Sequence, residues 1–181
     1  GYSNVLHGHG IGVASLMVGA HDGSGLMGIA PRATVVAYNP FDATNSAGWD
    51  DVRTGILALA NRNASVINMS LGVSGYTLHP DWRDIFFNSS VASATQNRIF
   101  VMAAGNDGAV QPTNMTWNWA LDPNLIIVGA VDPTGNISSL SNTPGNACLM
   151  DLLICRERLK NRFMVAPGEF MLLPDGEGGF V

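Results

Sequence analysis

Charge is scarce in this chain: charged side chains make up 13% of its 181 residues, and only nine are Lys or Arg, with Arg156, Arg158, Lys160 and Arg162 in one short segment. With a net charge of −5, neither nucleic acid nor an anionic membrane is an expected partner. Long apolar runs are missing too. None approaches the roughly 18 residues of a membrane-spanning helix, and Gly1 to Asn4 carry neither the charged lead nor the apolar block of a signal peptide. There are only two cysteines, Cys148 and Cys155, with no histidine near them, so a four-ligand zinc site is excluded. They form either a local disulfide in an oxidising compartment or two free thiols, and spacing does not choose between these. No repeat, low-complexity tract or linker divides the sequence.

What is present is apolar and glycine-rich. Hydrophobic residues are 46% of the chain, so disorder is not expected, and one domain of this length buries roughly 70% of its unfolded surface. Small and apolar residues from Val13 to Gly19 predict a buried helix opening near His9. Asp50 or Asp51 can cap a helix running through Ala60, with Val52, Ile56 and Leu57 on one side. A further helix is predicted from about Pro80 to Asn97. Strands are predicted at Thr34–Tyr38, Ser65–Met69, Arg98–Ala103 and Leu125–Val131. These runs are nearly continuously apolar, as in strands buried on both faces of a parallel sheet covered by helices. The alternation implies a layered α/β domain whose ligands bind beyond the strands' carboxyl ends. Ser70–Gly72 and Gly105–Gly108 occupy such positions.

Three stretches carry potential chemistry. His7-Gly8-His9-Gly10 places a polar ring among glycines, where a helix start would help keep an imidazole neutral and able to accept a proton. Val66 to Gly72 is a buried strand ending in Ser and Gly, an edge to which an extended peptide could pair. Ala103-Ala104-Gly105-Asn106 sets one amide after a strand, where its NH₂ could donate to a developing oxyanion. Each alone has a plainer reading: a turn, a strand end, and again a turn.

In this order the strings resemble the subtilisin-like serine peptidases. His9-Gly10-Ile11-Gly12-Val13-Ala14-Ser15 lies on the family's His-Gly-Thr-His-Val-Ala-Gly motif, although Ile11 and Gly12 depart from it. His7 is a rival position but breaks the Val-Ala register. Gly28-Ile29-Ala30-Pro31, Val66 to Gly72, Ala103 to Asn106 and Val165-Ala166-Pro167-Gly168 each look like family strings, and the resemblance spans about Gly8 to Gly168. Gly145 to Phe163 has no counterpart in it, and is expected to be an atypical loop or insertion.

The resemblance implies a three-layer α/β fold with a mostly parallel sheet flanked by helices, and a serine endopeptidase exported from the cytoplasm. His9 would be the catalytic base and Asn106 the oxyanion donor. Ser70, Leu71 and Gly72 would face Ala103, Ala104 and Gly105 as walls that bind a peptide or protein substrate. Asp107 would stand near the pocket rim and favour basic or polar substrate residues. A calcium ligand at Asp22, in Ala20–Gly25, has an ordinary turn as the stronger alternative; no other cofactor is expected. The mechanism also needs an aspartate before His9 and a serine after Gly168. Neither is found where the family has it, so the chain is expected to be truncated at both ends and inactive alone. Asn63, Asn68, Asn88, Asn114 and Asn136 begin Asn-X-Ser/Thr triplets, although Asn68 falls in a strand predicted to be buried.

Competing readings are a non-catalytic peptide-binding module on the same scaffold and, behind it, a nucleotide-binding α/β protein suggested by Gly8 to Gly12, whose spacing fails Gly-x-Gly-x-x-Gly. Metal binding by His7, His9 and His21 ranks last. The peptidase reading makes one geometric demand: the His9 imidazole and the Asn106 amide must face a common gap.

Overall fold

The computed structural model describes residues 4–23, 25–116 and 124–171, with side chains from residue 8 onward. Ser24 and the ring of His7 therefore lie outside the described residues. Four strands form one parallel sheet: β1 (Val66–Met69), β2 (Ile99–Ala103), β4 (Asn124–Val131) and β7 (Phe163–Pro167), in the order β1-β2-β4-β7. A smaller sheet joins β3 (Met115–Thr116), β5 (Cys148–Asp151) and β6 (Ile154–Arg158) in that order. The helices are α1 (Asn4–Val18), α2 (Trp49–Asn61), α3 (Trp82–Phe86) and α4 (Ser89–Thr95). The architecture is α/β, a mostly parallel sheet with helices packed against it.

One sheet face carries the core. Ile67, Met69, Phe100, Met102, Leu125 and Ile127 are buried there against Val52 and Ile56 of α2, Trp82, Ile85 and Phe86 of α3, and Val91 of α4. The other face differs from the expectation of strands buried on both sides. Val66, Ile99 and Met164 are exposed, at 52%, 36% and 54%, because no described helix covers them. Asn68 is exposed for the same reason, not buried. α1 approaches this face only at the strands' carboxyl ends, where His9 shares a cleft with Ala103, Val128 and Ala166.

Three predicted elements come out differently. Thr34–Tyr38 is not a strand: a strand needs a partner for its backbone groups, and no described strand runs beside it. The helix predicted over Pro80–Asn97 is two helices. Asn88 lies between them in extended conformation, and its side-chain oxygen accepts from the N–H groups of Ser90 and Val91, starting α4 afresh. α1 begins at Asn4, so His9 sits in its second turn and not at its start. The macrodipole acts mainly within the first turn, so the argument for a neutral ring from the helix start loses its basis. α2 keeps its predicted span within two residues. Its cap is Gly48, whose N–H donates to the Asp51 carboxylate at 3.2 Å.

Gly145–Phe163 is ordered. β5 and β6 form an antiparallel hairpin, and Cys148 and Cys155 are joined across it by a disulfide, with Cα atoms 5.4 Å apart. The two free thiols left open by the sequence are therefore not what the structure has.

Candidate active site

The Gly28-Ile29-Ala30 turn anchors the carboxyl end of α1 and so fixes where His9 stands. Ile29 and Ala30 donate backbone bonds to the carbonyls of Leu16 and Met17, at 3.0 and 2.7 Å. Gly28 lies so close to the helix end that a Cβ there would meet the Gly19 nitrogen at 2.3 Å. The ring of His9 is exposed, and its Nε2 lies 3.1 Å from the Ser70 carbonyl just beyond β1. The Ser70 hydroxyl in turn accepts from Asn68 Nδ2 at 3.0 Å.

A cleft of about 330 Å³ opens at the carboxyl ends of the parallel strands. His9, Ser70, Ala103, Ala104, Gly105 and Asn106 all line it. Six of the eight residues picked from the sequence thus meet in one place, His9 and Asn106 among them. Leu71 and Gly72 do not line it. They line a neighbouring hollow of about 300 Å³ with Phe41, Trp49 and Trp82. The cleft floor comes from residues the sequence did not flag, including Val128, Ala130 and Ser141, which belong to β4 and the loop after it.

Asn106 is exposed, and its side chain makes no hydrogen bond among the described residues. The loop bearing it is tightly held. Gly105 has φ +102°, and a Cβ there would come 2.3 Å from Asn142 Nδ2, so only glycine fits. Asp107, expected at the rim of the substrate pocket, does not line the cleft. Its carboxylate accepts from Ser74 Oγ at 2.6 Å and from the Gly75 N–H at 2.8 Å. These bonds, the Ser74 hydroxyl foremost, hold its pKa below the usual carboxylate range. Asp107 is thus tied to the opposite loop and not presented to a ligand.

In the loop Ala20–Gly25 the described residues include one carboxylate, that of Asp22, and the nearby Gly28 carbonyl lies 2.8 Å from His21 Nε2. Among the described residues no group of three or more His, Cys, Asp or Glu could hold a metal. None of their helices is long and apolar enough to cross a membrane.

Comparison with known proteins points to one family. The family model for peptidase S8, the subtilase family, matches residues 3–169. Subtilisin E of Bacillus subtilis (strain 168) is 32% identical over 135 residues, covering 74% of this chain and 34% of the relative. The thermophilic serine proteinase of Bacillus sp. (strain AK1) is 30% identical over 138 residues, covering 76% and 32%. This chain therefore spans about a third of the length of these curated relatives. Among solved structures, the patellamide maturation protease PatA superposes with a TM-score of 0.66 at 26% identity, over 95% of this chain and 57% of that one. Sphericase gives 0.64 at 25% identity, over 96% and 56%. A family model covering nearly the whole chain, and strand-end strings that converge on one cleft, lead to one conclusion: the chain belongs to the subtilase family.

Proposed function

We propose that the protein to which this chain contributes is an exported serine endopeptidase, with His9 as general base and Asn106 as oxyanion donor. The observation that carries this reading is the shared cleft, lined by both side chains at the strands' carboxyl ends. A scissile carbonyl lying there would point its oxygen at the exposed Asn106 amide, which has no competing hydrogen bond among the described residues. His9 would take the proton of an attacking serine and return it to the leaving amine. Substrate backbone would pair with Ser70–Gly72 on one side and Ala103–Gly105 on the other. The hollow beside Leu71, walled by Phe41, Trp49 and Trp82, suits an apolar substrate side chain. The triad aspartate and serine are functions this reading assigns to other parts of the protein. The disulfide supports an oxidising compartment.

The test uses the protein expressed from its complete reading frame. A fluorophosphonate should label it, and peptide hydrolysis should fall to background in His9→Ala. Asn106→Ala should lower kcat by roughly 10²–10³, the scale known for subtilisin, the family's namesake. Labelling and hydrolysis untouched by either substitution would sink the assignment. Peptide binding without turnover would favour the non-catalytic module.

A further inference from the structure

We infer that Asn142 is a positioning residue for Asn106, holding the main chain on both sides of it so that its amide is aimed without being used. This rests on the role proposed for Asn106 above. Asn142 is 1% exposed, in the loop that follows β4. Its side-chain oxygen accepts from the N–H of Asp107 at 3.0 Å and of Ala109 at 2.9 Å. Its own N–H donates to the Gly105 carbonyl at 2.9 Å. These three bonds straddle position 106. Its Nδ2 donates a fourth, to the Asp107 carboxylate at 3.3 Å, and Asp107 is clasped on its far side by Ser74 and Gly75. One buried amide, through one carboxylate, thus joins the loop of residues 105–109 to the loop of residues 72–76.

A buried asparagine that merely satisfies loop amides is commonplace. The placement here is more particular. Every Asn142 side-chain bond to this loop falls on its main chain or on Asp107, and none goes to Asn106, whose side chain is left exposed. The contact is also close enough to exclude any side chain at Gly105. An oxyanion donor works by being oriented before the charge develops, and this arrangement fixes the backbone while leaving the donor open.

The test is a double-mutant cycle in the full-length protein. Asn142→Ala should lower kcat about tenfold with KM changed less than twofold. Introduced into Asn106→Ala, it should lower kcat less than twofold further, because the group it positions is gone. Ser74→Ala, at an exposed site, should show the same dependence on background with a smaller loss, and serves if the buried variant fails to fold. Equal losses in both backgrounds, or none in either, overturn the positioning role. Amide hydrogen exchange provides a readout independent of turnover. The Asp107 and Ala109 amides should exchange at least tenfold faster in Asn142→Ala, and unchanged protection would also overturn the inference. If Asn106→Ala leaves kcat untouched, the oxyanion role itself falls, an outcome distinct from failure of the cycle.

Discussion

His9 and Ser70 define the residue scale of this site. A carbonyl oxygen only accepts, so the 3.1 Å contact with Ser70 requires the proton on His9 Nε2. A base acting through that nitrogen must first leave the carbonyl, so the proposed mechanism includes a turn of the ring or a change of tautomer. Asp107 allows a sharper prediction. Its folded-state pKa lies below the ordinary value, with the Ser74 hydroxyl as the main cause. A carboxylate depressed in this way stabilises the fold fully above its unfolded pKa, near 3.9, and loses that contribution as pH falls through the lower folded value. The tie between the loops should therefore be constant from pH 7 to about pH 5 and weaken below about pH 4. Protection of the Gly75 amide, followed by exchange and corrected for intrinsic rate, should track this and become flat in Asp107→Asn. Asp42 and Asp132 are lowered by similar turn bonds, chiefly from Thr44 and Thr134, and belong to the same acid-sensitive set.

At the scale of elements, the β5–β6 hairpin separates stability from chemistry. The disulfide spans seven residues in sequence, and a loop that small constrains the unfolded chain by about 2.5 kcal/mol on the chain-entropy model. Neither cysteine lines the cleft. Replacing both with serine should thus lower the urea midpoint while leaving peptide cleavage by the full-length protein unchanged, which paired unfolding and activity assays would check. Three of the four strands of the parallel sheet were legible because apolar runs such as Val66–Met69 and Leu125–Val131 have local cause, and their ends came out within a residue; β7, Phe163–Pro167, was not foreseen as a strand. Thr34–Tyr38 looked equally like a strand, but strandhood depends on a neighbour. The break at Asn88 was a capping signal hidden inside a helix-like run. Of the six chosen residues that line the cleft, five lie in strings at strand ends and His9 lies on α1. Asn142 was not legible, because Ser141-Asn142-Thr143 has the look of any polar loop, and its bonds reach back some 35 residues to Asp107. Leu71 and Gly72 lie beyond the end of β1, where the chain has left the strand, and line the neighbouring hollow instead.

At the scale of the whole molecule, the described residues cover one sheet face well and leave the other largely open. Val66, Ile99 and Met164 are exposed large apolar residues on the open face of the parallel sheet, all at 36% or more. Surfaces of this kind associate or bind apolar probes. A polypeptide of these 181 residues alone should bind an apolar dye such as anilinonaphthalene sulfonate and sediment as larger species as concentration rises. A monomer without dye binding in the millimolar range would contradict that picture. The covalent path of the chain has a practical corollary. Leu152 and Leu153, at the tip between the bridged cysteines, are 85% and 94% exposed. A protease nick between them would leave both pieces joined through sulfur. On a denaturing gel such clipped material would run as intact protein until a reductant was added, so purity judged without one would be overstated.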